Sequence, residues 1–447
     1  MHIALFTDFH PATLGGVQTA MRALTTGLRG QGHRVTVFCP PAPEPGPADA
    51  DIVLLRPIPL ATLAGGLPMV LPTRANRFAI DAAFATRGPV DIVHALTTYG
   101  CGILGTRAAR RHGVPIVQTL QSRDDTVIEK YAPAPLSAAL SMRLLHGWFV
   151  PLRGRAVAAL PGDGRVARLA WRPLIAQADA ADHVTVPTEH FARRLAARGV
   201  ERPIHVISNG VDDALLDSVL DSDPAPGARR PRSVSSTPGS SRPTSPDRSR
   251  AFEHDDDGSA GAVDADRRAP LRVLWCGRLS PEKRPLEAVE VVRRVADCTL
   301  DVYGGGRLAD EVRAAISASG VGDRVRLHGE VDQAAVLRAM REHDVLLLTS
   351  DCDTQGMVLL EAVATGLPVV YCDPELAETI SESGGLRAAD SSVSALAEAL
   401  DSLARDRSRL PAMRAALTAL VDRSRQSRHL ARLVAVYTEA ISADSAH

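Results

Sequence analysis

The sequence predicts an α/β protein of two doubly wound domains joined by a linker, with the cleft between them as the binding site. Three observations carry this expectation. Short apolar runs alternate with stretches of helical periodicity through both halves of the chain. Between about Asp217 and Ala269 the alternation stops and Ser, Pro, Arg and Asp take over, with Ser235-Ser236-Thr237-Pro238 and Asp255-Asp256-Asp257 as examples. The chain has 447 residues, more than one core accommodates at about 150 residues per domain. The expected layout is a first domain over 1–212, a disordered insertion over 217–269 that buries too little apolar surface to fold, a second domain over 270–425, and a helix and tail over 426–447. The last helix is also a candidate to pack back on the first domain.

The first half gives strands at 2–7, Arg34–Cys39, Asp51–Leu55, Asp91–His94 and Pro115–Thr119, with helices from Val17, over about 73–86 and over 102–112. Apolar strands separated by helices are the pattern of a parallel sheet covered on both faces. After the polar turn Gln121-Ser122-Arg123-Asp124-Asp125 come helices in which Arg143, Arg153, Arg155, Arg165, Arg168 and Arg172 alternate with Trp148, Phe149 and Trp171. A helix lying on an anionic bilayer uses such residues, and core helices with solvated arginines outside would read the same way. A strand at His183–Val186, a helix from Glu189 and a strand at Ile204–Ile207 lead to Ser208-Asn209-Gly210-Val211-Asp212. The second half gives strands at Leu271–Cys276, Thr299–Tyr303, Val325–Leu327, 345–348 and Pro368–Tyr371, with helices at 285–296, 308–319, 333–342, from Met357, and between about 392 and 441.

A net charge of −1 lacks the excess of Lys and Arg that nucleic-acid binding requires. The six cysteines are scattered without a Cys-x-x-Cys pair, so reduced thiols and a cytoplasmic location are expected, and the spacing suggests no metal site. His2-Ile3-Ala4-Leu5-Phe6 is predicted as a strand rather than a leader, and no run of about 18 apolar residues occurs, so the protein is expected to be soluble or peripheral on the inner face of the plasma membrane. There are only two lysines, Lys130 and Lys283, against 49 arginines. A lysine kept against that bias is a candidate for work that needs a compact ammonium.

The chemistry gathers in three stretches. Leu14-Gly15-Gly16-Val17 opens the first helix, where adjacent glycines let backbone N–H groups approach an anion. The strand ending at Cys276 runs into Gly277-Arg278-Leu279-Ser280-Pro281-Glu282-Lys283, which sets two cations in a strand-to-helix loop where a diphosphate would sit. The strand at 345–348 ends in Ser350-Asp351-Cys352-Asp353-Thr354-Gln355-Gly356-Met357, and Glu361 follows one turn into an otherwise apolar helix, where a carboxylate needs a partner.

Together with Asn209-Gly210-Val211-Asp212, Gly304-Gly305-Gly306 and the spacing from Asp353 to Glu361, these stretches resemble the retaining nucleotide-sugar glycosyltransferases of family 4, with the GT-B fold of two Rossmann-like domains facing a cleft. The resemblance spans nearly the whole chain outside 217–269. It implies that Arg278 and Lys283 hold the donor diphosphate and stabilise the leaving group without a metal or cofactor, and that the amides of Gly15, Gly16 and Gly277 meet the phosphates. It further implies that Glu361 holds the ribose, and that Asp353 with the amides of Gly356 and Met357 holds the transferred sugar. Two positions depart from the family pattern. Asp353 stands where Glu is usual, and Gln121 stands where many members carry His, which removes a titrating group there. His94, Gln121 and Asp124 are the candidates on the acceptor side.

The expected activity is transfer of a hexosyl group from a UDP-glucose or GDP-mannose type donor to an acceptor hydroxyl with retention. Asp353-Thr354-Gln355-Gly356 is similar to the corresponding turn of glycolipid-forming members, so a membrane glycolipid or diacylglycerol is the expected acceptor. The alternatives are a soluble sugar or small-metabolite acceptor, and a non-catalytic nucleotide-sugar-binding protein.

Overall fold

The computed structural model describes residues 1–42, 49–62, 68–152, 156–222, 269–381 and 383–444. Most of the expected 217–269 insertion therefore lies outside the described residues, as do Arg153 and Arg155. Residues 217–221 belong to the helix Asp213–Asp221, whose first turn is capped by Asp212 accepting from the Leu215 amide at 2.9 Å.

Two parallel sheets form the two domains. The first has seven strands in the spatial order Ile52–Leu54, Arg34–Cys39, His2–Phe6, Ile92–Ala95, Ile116–Thr119, His183–Val186 and Ile204–Val206. The second has six, in the order Val325–Gly329, Cys298–Tyr303, Leu271–Cys276, Val345–Leu348, Val369–Tyr371 and Gly385–Arg387. In each sheet the order reverses beside the domain's first strand, and the crevice outside the carboxyl ends there is where doubly wound sheets hold ligands. Gly15 follows the strand at the first switch point. The loops after Cys276 and Leu348 flank the second.

Sequence periodicity missed the antiparallel pair Pro57–Thr62 and Pro68–Val70 and the edge strand Gly385–Arg387. Prolines weaken the strand signal in the first case, and in the second only three residues pair at a sheet edge. Trp171, in the stretch that reads equally as a membrane-surface helix or as a core helix with arginines outside, is 1% exposed, packed against Phe191 and under the Arg198 guanidinium. Its helix, Arg165–Ala180, is largely core.

The chain crosses between the domains twice. The outward crossing at 209–212 and the return at 424–426 run side by side, with the Val211 amide on the Ser424 carbonyl at 2.7 Å and the Gln426 amide on the Val211 carbonyl at 2.9 Å. Gly210 permits this, because a Cβ there would lie 2.4 Å from the Gln426 Cα. The last helix, Gln426–Asp444, then packs on the first domain, where Leu430, Leu433, Val436, Tyr437 and Ala440 share a core with Ile3, Leu5, Met21 and Leu24.

Candidate active site

The loop after Cys276 is held by the glycine turn beside it. The Leu279 amide bonds to the Gly305 carbonyl at 2.7 Å, and a Cβ at Gly304 would stand 1.9 Å from the Gly277 carbonyl oxygen, so only glycine admits the contact. Thr349, at the end of the neighbouring strand, ties this loop to the next by donating its hydroxyl to the Lys283 carbonyl at 2.7 Å. The Lys283 ammonium consequently reaches Asp353 Oδ1. Burial acts to lower the lysine pKa, and the Asp353 charge outweighs it, so the pKa is raised and the ammonium stays charged. The other oxygen, Asp353 Oδ2, is buried and has no hydrogen-bond partner among the described residues.

Opposite lies the first domain's glycine loop. Gly15 adopts φ 149°, and a Cβ there would come 2.9 Å from Arg278 Nη2. A Cβ on Gly16 would come 3.5 Å from Met357 Cγ. The residues picked out on the two domains thus face one another at van der Waals range, with Gly356, at φ 76°, preceding the helix Met357–Thr365. That helix carries Glu361, which is 6% exposed and accepts from Gln333 Nε2 at 2.8 Å. Burial pushes its carboxyl up to about 7, against the opposing pull of that bond and of the Arg22 charge from the first domain.

The turn 351–355 also joins the domains. Thr354 donates its hydroxyl to the Gln121 carbonyl at 2.9 Å, Gln355 Oε1 accepts from the amide and the side chain of Asn209, each at 3.1 Å, and Gln355 Nε2 donates to Ser208 Oγ at 2.6 Å. Lys130 reaches Asp351 at 2.8 Å, so both of the chain's lysines converge on this turn. Arg123 pairs with Glu375 at 2.7 Å, a further bond between the domains.

On the acceptor side, Gln121 backs this turn, with its Oε1 3.4 Å from Asn209 Nδ2. Asp124 is 2% exposed and accepts from Tyr99 Oη at 2.8 Å and from Ser122; burial raises its pKa against those two bonds. Its Oδ2 is buried and without a hydrogen-bond partner among the described residues, as is Gln18 Oε1 beside Gly15. His94 lines a small cavity with Gln121 and Asn209. It is 1% exposed, with one nitrogen 2.6 Å from Tyr437 Oη and the other 2.6 Å from Thr119 Oγ1, and burial depresses its pKa to about 3. It is a neutral strut beneath the last helix, which its place at a strand end did not reveal.

Sequence reasoning passed over Gln18, Arg22 and Gln333. In the sequence Thr354 and Gln355 stand out only for their likeness to the turn of glycolipid-forming members, and Lys130 for its rarity. A wide concavity of about 720 Å³ opens beyond the interdomain ion pairs, lined by His190, Arg194, Arg198, Glu375 and Glu378, and contains none of the expected donor residues.

In chemical terms, the cleft offers two cations and glycine amides for a diphosphate, and buried acceptor oxygens lacking donors for the hydroxyls of a sugar.

Two family models match this chain: Glycosyltransferase Family 4 over residues 14–215, and Glycosyl transferases group 1 over residues 270–406. Alpha-monoglucosyldiacylglycerol synthase of Streptococcus pneumoniae is 22% identical, over 86% of this chain and 74% of that protein. The GtfA subunit of the UDP-N-acetylglucosamine--peptide N-acetylglucosaminyltransferase of Streptococcus gordonii is 30% identical over a shorter stretch, 24% of this chain and 21% of that one. Among solved structures, Anabaena Alr3699/HepE in complex with UDP-glucose superposes with a TM-score of 0.60 at 14% identity, covering 98% of this chain and 100% of that one.

Proposed function

This chain belongs to glycosyltransferase family 4, retaining hexosyltransferases of the GT-B fold that use nucleotide sugars, and from that premise we propose that it transfers a hexosyl group from a UDP-sugar to a lipid hydroxyl at a membrane surface. Arg278 and Lys283 take the diphosphate, and the amides of Gly15 and Gly16 meet it from the other domain. Glu361 accepts from the ribose hydroxyls. Asp353 Oδ2 and the amides of Gly356 and Met357 hold the sugar. The bond from sugar to phosphate breaks as charge developing on the leaving diphosphate meets prepositioned donors in a cleft closed to water. The acceptor hydroxyl attacks from the leaving-group side and gives its proton to a phosphate oxygen. Gln121, which does not titrate, orients sugar hydroxyls.

The observation that carries the lipid acceptor is one helix face. On Pro135–Phe149, Leu136, Leu140, Leu144 and Trp148 recur every fourth residue and are 48%, 44%, 63% and 82% exposed, with Arg143 exposed alongside. An apolar stripe with a basic residue suits insertion at an anionic bilayer. The helix packs beside Asp124–Tyr131, whose last turn reaches Asp351 at the cleft, so a docked membrane would lie near the acceptor side. No helix among the described residues is long and apolar enough to cross a membrane. One relative, the monoglucosyldiacylglycerol synthase, has a lipid in its name, which supports this reading.

The test is co-sedimentation with vesicles containing anionic lipid at low and high salt, comparing wild type with Leu144→Glu/Trp148→Glu. The wild type should bind at low salt and the variant should not, with donor hydrolysis unchanged in both. Equal sedimentation of the two proteins would refute the lipid-surface assignment and favour a soluble acceptor.

A further inference from the structure

His183, His205 and Glu439 meet outside the cleft, at the far edge of the first domain's sheet. Register explains the histidines. In the parallel pair of strands His205 lies level with Thr185, and His183, two residues earlier, projects from the same face. The last helix covers that face and brings Glu439 to it. His183 Nδ1 and His205 Nε2 stand 2.9 Å apart, and a ligating atom from each of the three side chains lies within 4.8 Å of the others. His183 opens its strand at the end opposite the one where Pro187 meets Gln355, so this cluster is separate from the donor site.

We propose that His183, His205 and Glu439 bind a zinc-class divalent cation, with water as the fourth ligand. Bonds of about 2.0–2.1 Å in a tetrahedron place ligand atoms about 3.3 Å apart, so the two imidazoles need to separate by only a few tenths of an ångström. Two imidazoles and one carboxylate are borderline ligands of the kind zinc selects, whereas calcium and magnesium prefer sites made of oxygens alone. His183 is buried, His205 is partly exposed and Glu439 is exposed, which gives an ion an open approach from the helix side. The site is a clip. It fastens the chain's last helix to two strands near the sheet edge, on the segment that follows the second crossing between the domains. The three residues lie too far apart in sequence to form a ligand-spacing motif, so no such site was expected from the sequence.

The experiment uses the full-length chain stripped with a chelator and dialysed. Titration with Zn²⁺ should give one ion per chain and a rise in melting temperature, with no such response to Ca²⁺ or Mg²⁺. Co²⁺ should give tetrahedral visible absorption without a thiolate charge-transfer band. Loss of a residue that merely supports a ligand costs 10- to 100-fold in affinity, so removing a ligand by His205→Ala or Glu439→Gln should cost about 100-fold or more. Both positions are solvent-accessible, and the unliganded melting temperature of each variant checks that it folds. Absence of stoichiometric Zn²⁺ binding by wild type, unchanged affinity in the two variants, or a thiolate band with Co²⁺ would each overturn the assignment.

Discussion

Replacing Glu361 with Gln tests the buried carboxylate assigned above to the proposed donor site. Burial moves its pKa from 4.5 to about 7. The native protein therefore holds this proton more tightly than the unfolded chain does, so stability is complete below 4.5 and declines as pH rises towards 7. At about 1.4 kcal/mol per pH unit, the decline across that window is ~3 kcal/mol. Gln keeps the shape and can still accept from Gln333, but it carries no charge to desolvate. Glu361→Gln should match wild type near pH 4 and exceed it at pH 8, by about 6–12 °C in Tm if the second domain melts as a unit. Carbon-detected NMR of the Glu361 carboxyl should give a midpoint near 7. Ribose hydroxyls donating to Glu361 favour its ionised form, so binding of UDP near pH 7 should release a proton, seen as buffer-dependent heat in calorimetry, and the Gln variant should not release it. A wild type and variant with parallel pH profiles, or a carboxyl titrating near 4.5, would refute the argument that this group stores a desolvation cost in the empty site.

Lys283→Ala should lower kcat by about 100-fold, the scale for losing one donor to developing charge, with the partly exposed side chain contributing less to Tm than to turnover; turnover within a few-fold of wild type would remove Lys283 from the diphosphate site. Gly210→Ala forces a Cβ against Gln426 backbone and should cost about 1–3 kcal/mol in chemical denaturation, and an unchanged midpoint would show that the paired crossings yield easily.

The sheets were legible because their central strands, such as His2–Phe6 and Val345–Leu348, are largely apolar runs buried on both faces. The cleft was legible where chemistry forces a residue type. Gly15 and Gly356 have backbone angles that side chains resist, Lys283 is one of two lysines, and Glu361 is a carboxylate in an apolar helix. What stayed hidden depends on long-range partners. His94 and Gln121 both lie near strand ends, yet one turns under Tyr437 and the other backs the 354–355 turn, a difference set by elements hundreds of residues away. Trp148 and Trp171 lie in successive helices that pack on each other, and only tertiary packing decides that Trp171 is core and Trp148 is exposed. The bonds from Thr354 and Gln355 to the other domain carry no local pattern, since any polar turn could supply them.

The return of the last helix to the first domain bears on how the protein is made. The strands of the first sheet leave the ribosome well before Leu430, Leu433, Val436, Tyr437 and Ala440, which line that sheet's core and are translated more than 200 residues after its strand Ile204–Val206. At ~5–20 residues per second the delay between the strand Ile204–Val206 and that helix is on the order of ten seconds or more. Throughout it the second domain can complete its own core, while the first presents an apolar surface and a His94 without its tyrosine. A chain released early, ending anywhere between Ser208 and Arg425, has the same exposed surface permanently and is a client for chaperones and proteases rather than half an enzyme.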